Sequence, residues 1–258
     1  LILNTGSNLG TGNLQLQGGT LALKSGFVST KTLTQGTTSG TFVSDSIVTG
    51  QGSFSNTVIN SGALIVNGTL TSPITIGKGG ILRGNGKVIG NTVVAGILEP
   101  GNSPGILNID GNLTQQPTAT LSVDIDGSEA GTGASKHDQI IVSNTFTADG
   151  RLIAKLRGIT GEATNTFTPS IGQSFTIVKA NSVQGVFAVF DSYTKPTDGL
   201  AAGTRLNVGY TPTSVVLYIT PESYSSVANG ENRTGTAKFL DNAINAKLAD
   251  ATGLAELA

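Results

Sequence analysis

Short apolar stretches that alternate with polar residues recur along the chain, as in Leu14-Gln15-Leu16-Gln17, Leu21-Ala22-Leu23-Lys24 and Leu64-Ile65-Val66-Asn67. Alternation with a period of two turns one set of side chains inward and the other to solvent, so these stretches read as strands. A Gly-x-[Leu/Phe] unit opens several of them, at Gly19-Thr20-Leu21, Gly40-Thr41-Phe42, Gly62-Ala63-Leu64, Gly80-Ile81-Leu82 and Gly96-Ile97-Leu98. Successive units lie about 16 to 22 residues apart, near the shortest solenoid periods, and each reads as one rung. Stacked rungs make parallel ladders along an axis. The expected fold is therefore all-β, a right-handed parallel β-helix (a solenoid) with its rungs in residues 1–115.

From Thr120 the strands lengthen: Thr120-Leu121-Ser122-Val123-Asp124-Ile125, Gln139-Ile140-Ile141-Val142, Arg151-Leu152-Ile153-Ala154-Lys155-Leu156, Ser174-Phe175-Thr176-Ile177-Val178 and Ser214-Val215-Val216-Leu217-Tyr218-Ile219. Turn-rich loops at Gly127–Ser135 and Gly158–Gly172 separate them. Most of the Phe and Tyr residues follow Leu113, which implies a wider, better-packed core. An open solenoid end exposes unpaired backbone groups, so residues 116–222 read as a C-terminal β cap. Ser223–Arg233 is polar and reads as a linker. Thr236–Ala258 carries Leu240, Ile244 and Leu248 at helical spacing, with Phe239 and Ala243 beside them, and predicts an amphipathic helix.

Composition sharpens this picture. Glycine is abundant (36 of 258 residues) and Cys, Met and Trp are absent, which suits a thin interior of stacked aliphatic residues with small residues at the corners. A net charge of −1 and the lack of any basic cluster give no footprint for nucleic acid. Without Cys there is no disulfide framework and no thiolate metal site. No run is long and apolar enough to cross a bilayer as a helix. The N-terminal Leu1-Ile2-Leu3-Asn4-Thr5-Gly6 has no signal-peptide pattern and starts inside a repeat, as expected of a piece of a longer polypeptide.

Candidate chemistry is sparse. The only histidine lies in Ser135-Lys136-His137-Asp138, but neighbours on a strand point to opposite faces and do not converge into a triad. Asp138-Gln139-Ile140-Ile141-Val142 reads more simply as a strand entry. Asp124 and Asp126, with Glu129 nearby, could serve a glycosidase or Ca²⁺, yet they do not match an EF-hand loop and read as a solvated strand face. Gly84-Asn85-Gly86-Lys87 lacks the remainder of a phosphate loop. That segment and Asn56, Asn60, Asn67, Asn85, Asn91, Asn102 and Asn112 read as corners, the asparagines tolerating the left-handed region. No catalytic residue, cofactor or metal is expected, and the chain does not read as an enzyme. The positions that carry weight are the turn-formers Gly96, Pro100, Gly101, Asn102, Ser103, Pro104 and Gly105, since Pro fixes φ and Gly admits positive φ.

The segment Gly84–Gln115, with Gly96-Ile97-Leu98-Glu99-Pro100-Gly101-Asn102-Ser103-Pro104-Gly105-Ile106-Leu107 at its centre, resembles the passenger-associated repeat region of bacterial autotransporters. The likeness is specific over Gly84–Leu113 and looser over about Gly62 to Phe190. It implies that 116–222 corresponds to the autochaperone region of a passenger. It also implies that Asn232-Arg233, Ala237 and Leu240-Asp241 open the helix leading to an outer-membrane barrel absent here. The implied function is secretion by the type V route and folding of the passenger on the cell surface, outside the outer membrane. The implied partners are that barrel and the barrel assembly machinery, with host-surface or self-association contacts possible for an adhesin or virulence stalk. A carbohydrate-active β-helix enzyme is the remaining alternative, and the chain has few of the clustered acidic, basic and aromatic groups such a groove uses.

Overall fold

The computed structural model describes residues 1–5, 9–36, 44–156, 165–191 and 200–249, with side chains described to residue 242 of the final helix. The protein is all-β, and the strands of its main sheet run mostly parallel. Among the described residues twenty strands join one sheet, and one helix, Glu231–Ala249, follows them.

Register shows how the chain winds. One ladder is built by Gly19–Val28, Ser46–Ser53, the end of Asn56–Val66, the end of Ile74–Gly84, Ile97–Pro100, Thr120–Asp124, Arg151–Lys155 and Val189–Asp191. A second runs from the ends of Gly19–Val28 and Ser46–Ser53 through Thr69–Thr71, Lys87–Ile89 and Ile106–Asp110 to Gln139–Ala148 and Ser174–Gly185. A third links Leu14–Leu16, Thr32–Gln35, the starts of Asn56–Val66 and Ile74–Gly84, Thr92–Val94 and Leu113–Gln115, again ending on Gln139–Ala148 and Ser174–Gly185. Long strands shift register between Leu23 and Phe27, Ile59 and Ser61, and Val142 and Thr145, and each then serves two ladders. The ladders thereby fuse into one sheet, closed like a barrel around a shared interior.

The alternation read from the sequence sets which residues fill that interior. Leu64, Leu82, Leu98, Leu121 and Leu152 stand in register on five successive strands, all fully buried. Leu70, Val88, Ile109 and Val142 do the same on the second ladder. Each fully buried aliphatic side chain contributes about 1.5–3 kcal/mol, so the stacks dominate the stability of the wall.

The repeat unit holds over part of its length. Gly62 pairs Gly80, and Ile81 pairs Ile97, so the units opening at Gly62, Gly80 and Gly96 are in step. Gly19 instead pairs Ser46, making the first step longer than expected, and Gly40-Thr41-Phe42 lies outside the described residues. Steps lengthen again after Leu113–Gln115, where Leu113 pairs Phe146, 33 residues on. The aromatic residues gather there: Phe146 lies 6.2 Å from Phe187, Phe187 6.4 Å from Tyr210, and Phe175 touches both Phe167 and His137. The parallel run then meets an antiparallel hairpin, Thr204–Thr211 with Ser214–Pro221, whose second strand pairs Ser174–Gly185.

The helix starts at Glu231, inside the segment that reads as a linker, because an acidic residue in the first turn complements the helix N-terminus. The apolar face expected of it is only partly formed: Ala237 is buried, but Phe239 and Leu240 are exposed. Ile244 and Leu248 lie outside the described side chains. A carboxylate anchors the helix instead. Asp241 accepts hydrogen bonds from the Tyr224 and Ser225 amides and the Ser223 and Ser225 hydroxyls, which hold it well below the usual carboxylate range.

Candidate functional site: a corner turn over buried carboxylates

The expected turn-formers form one corner, carrying the chain from the first ladder to the second. Gly96 packs so closely that a Cβ there would lie 2.2 Å from the Gly77 carbonyl. Pro100 ends the strand opposite Gly84, and Gly101, at φ +86°, exchanges two backbone hydrogen bonds with Gly84 (3.0 and 3.1 Å). Asn102 and Ser103 form the exposed tip, Ser103 in the left-handed region at φ 65°. Pro104 and Gly105 are buried again, and Ile106 enters the second ladder.

The asparagines work differently from the expectation. Among the described residues Ser103 and Ser135 are the non-glycine residues with positive φ, so none of the seven asparagines uses the left-handed region. Several bridge strands through their side chains. Asn91 Oδ1 accepts the Asn112 amide (2.9 Å), Asn112 Oδ1 accepts the Thr145 amide (3.1 Å), and Asn67 Oδ1 accepts both the Asn85 amide and the Asn102 Nδ2 (3.3 and 3.0 Å). A parallel step leaves an amide at each corner without a ladder partner, and a short amide side chain one strand away satisfies it. Gly84-Asn85-Gly86-Lys87 forms such a corner, with Lys87 paired to Asp110 across 2.9 Å.

The aspartates are a second correction. Asp124 and Asp126 are buried, not on a solvated face, and Asp138 joins them at 2 % exposure. The cause is a return of the chain: residues 136–138 run antiparallel along 124–126, bridged at Ile125 and His137, and cover the strand end. Asp138 spans the junction. Its Oδ1 accepts the Gly105 amide (2.7 Å), its Oδ2 accepts the Asp124 amide (2.8 Å), and its own amide donates to the Asp124 carbonyl (2.9 Å). Burial, then the neighbouring Asp124 and Asp126, push its pKa up to about 8 against the pull of the two amide donors.

His137 points elsewhere. Its Nδ1–H donates to the Gly127 carbonyl (3.2 Å), its ring stands edge-on to Phe175, and burial holds its pKa below the ordinary value. Ser135 Oγ takes a hydrogen bond from Asn165. Ser135, His137 and Asp138 therefore form no relay. Glu129 is exposed and paired with Lys136. Among the described residues no three His, Cys, Asp or Glu side chains are placed to hold a metal ion.

Beside the corner lies a groove of about 380 Å³ lined by Ile65, Arg83, Glu99, Asn102, Ser122 and Lys155, with Asp124 and Asp138 at its base. Glu99 sits between Arg83 and Lys155, and Arg83 also reaches Asp45 (3.6 Å). Charges of alternating sign thus brace three strands and the entry to a fourth. The corner, the groove and the carboxylates meet at one joint in the sheet. Compared with known proteins, the chain matches no family model and no curated protein.

Proposed function

We propose that the protein is a right-handed parallel β-helix whose task is to fold: the C-terminal part of an autotransporter passenger, in which the cap, residues 116–222, forms first outside the cell and templates the rungs of residues 1–115. The observation that carries this reading is the stacking of successive strands into three parallel ladders, two of which end on the strand that pairs the antiparallel hairpin. Backbone pairing joins each strand to those of the adjacent rungs, so a stable end unit offers a ready edge and removes the nucleation cost for the rungs that add to it. Residues 223–258, with the helix Glu231–Ala249, lead toward an outer-membrane barrel, and that barrel and its assembly machinery are the partners. The reading needs no cofactor or metal and assigns no enzymatic step.

The decisive experiment deletes residues 96–221 from the full-length parent and measures the amount and protease resistance of passenger on the cell surface. Loss of surface passenger, or its degradation, is the expected result, whereas a folded and resistant passenger overturns the reading. Hydrogen exchange on the isolated chain gives a second test. The slowest amides are expected after Gln115, and slowest exchange within residues 1–60 would contradict it.

One observation favours a second reading, an adhesin or self-association stalk. The outward row of the third ladder, Gln15, Thr34, Val58, Thr75, Val93, Thr114 and Thr147, is uncharged. All the ion pairs of the described residues involve other faces or loops. A regular neutral face suits weak, repeated contacts, and clumping that depends on residues 1–83 would select this reading.

A further inference from the structure

The chain holds three Asn-Gly pairs, Asn67-Gly68, Asn85-Gly86 and Asn229-Gly230, and the fold treats the third unlike the other two. We infer that Asn229-Gly230 is a site of self-modification: the Gly230 amide nitrogen closes on the Asn229 side chain and the ring reopens as an aspartyl or isoaspartyl link, while the corners keep Asn67 and Asn85 intact. This does not depend on the secretion reading.

The step balances with water as the only co-reactant. The Gly230 nitrogen gives up its proton to solvent base and bonds to Asn229 Cγ, the Cγ–Nδ2 bond breaks, and Nδ2 leaves as ammonia with a proton returned from water. Water then opens the cyclic imide at either carbonyl, giving an ordinary aspartate or a main chain that runs through Cβ and Cγ. Glycine favours the closure because no Cβ shields its nitrogen and its backbone turns freely. Two freedoms are needed: a glycine amide without a hydrogen-bond partner, and an asparagine side chain able to swing over it.

Each corner pair lacks at least one of them. Gly86 donates its amide to the Val66 carbonyl (2.8 Å) and accepts the Asn108 amide (3.1 Å). The Asn85 side chain is packed against the turn, since a Cβ on Gly105 would stand 1.6 Å from its Oδ1. At the other corner Asn67 Oδ1 is occupied by the Asn85 amide and the Asn102 side chain (3.3 and 3.0 Å). Gly68 lies so close to the neighbouring strand that a Cβ on it would come within 2.0 Å of the Gly50 carbonyl oxygen, and its own carbonyl accepts the Lys87 amide (2.8 Å).

Asn229-Gly230 has both. The two residues are exposed and belong to neither strand nor helix, and a Cβ on Gly230 would meet nothing within 4 Å. Among the described residues the hydrogen bonds of Gly230 run through its carbonyl, which accepts the Thr234 amide and hydroxyl (both 2.9 Å), so its nitrogen stays open to solvent. The pair also sits where a change in the main chain is felt. Just upstream, Ser223, Tyr224 and Ser225 are bonded to Asp241, on the helix that begins one residue after Gly230. An isoaspartyl link inserts an extra main-chain carbon between this clamped segment and the helix, and so works against those bonds.

The test follows the full chain in mildly alkaline buffer, folded and in urea, by peptide mass mapping of the three pairs, with hydroxylamine, which cuts the chain at the imide, reading ring formation separately. In urea all three pairs should react alike. In the folded chain Asn229 is expected to keep its urea rate to within about tenfold, whereas Asn67 and Asn85 slow by about a hundredfold or more because they react only through local opening. Asn229→Gln removes the hydroxylamine cut after residue 229 and leaves the other two sites unchanged. An Asn229 as protected as the corners, or corners that keep pace with Asn229, overturns the inference. The isoaspartyl form should also exchange its Tyr224 and Ser225 amides faster than Asn229→Asp, which has the charge without the extra carbon, and equal exchange in the two overturns the effect on the clamp.

Discussion

Gly101→Val lowers the urea-unfolding stability of the chain by about 4 kcal/mol or more, the largest loss expected from any single exchange in the corner. Three costs add. A β-branched residue held at φ +86° is strained by about 1–3 kcal/mol. Its Cβ would stand 2.2 Å from the Gly105 amide nitrogen and 2.6 Å from the Gly105 Cα, both backbone atoms that cannot swing aside. The turn must therefore move, which breaks the paired bonds to Gly84 and withdraws the Gly105 amide from Asp138. A buried acceptor left without its donor costs about 1–3 kcal/mol. Gly172→Val separates these effects, because Gly172 also has positive φ (+88°) but nothing within 4 Å of a Cβ. That variant loses the conformational part alone, about 1–3 kcal/mol. Equal unfolding midpoints for the two would show that the corner tolerates displacement and that its close packing is unimportant.

The parts of this fold that could be read from the sequence are those encoded locally. The alternation at Leu21-Ala22-Leu23 and Leu64-Ile65-Val66 fixes the inward residues because a strand has only two faces. Pro100-Gly101-Asn102-Ser103-Pro104-Gly105 marks a corner because few other residues can follow that backbone path. What the sequence concealed depends on chain segments distant from the residue concerned. Asp124 and Asp126 carry the polarity of a solvated face, yet the return of residues 136–138 covers that strand end and both are buried. The asparagines were recognisable as corner residues but not by mechanism, since their partners stand one or two strands away, 18 to 35 residues along the chain. The early spacing of the Gly-x-Leu units misled because Gly19 pairs Ser46, a register set by the stacking and not by the repeat. The polarity of Ser223–Arg233 suggested a linker, whereas the four bonds to Asp241 hold the preceding segment against the helix. The candidate site follows the same division: the turn was legible, and the carboxyl that holds it was not.

The second large effect tests where the cooperative unit lies. Phe146 is fully buried on the third ladder, between Leu113 and Val183, and packs toward Phe187. Phe187 in turn donates its amide to the Tyr210 hydroxyl (2.9 Å) on the antiparallel hairpin, where burial pushes the phenol up to about 12. Phe146→Ala removes the ring that fills the joint between the parallel ladders and this hairpin. The expected loss is about 3–5 kcal/mol, combining lost burial with the cavity left behind. Phe27 makes a matched control near the other end, because it too is buried and lies 5.5 Å from a second ring, Phe54. The two losses should be similar in size but different in reach. If the rungs add onto the C-terminal unit, nearest-neighbour coupling makes Phe146→Ala lower the whole unfolding transition, while Phe27→Ala detaches only the first rungs as a separate, earlier step. Exchange at the Leu23 and Leu121 amides distinguishes the cases, since the first variant should speed both and the second only Leu23. The opposite pattern, with Phe27→Ala destabilising Leu121 and Phe146→Ala leaving Leu23 protected, would place the nucleus at the N-terminal end and remove the physical basis for a templating cap.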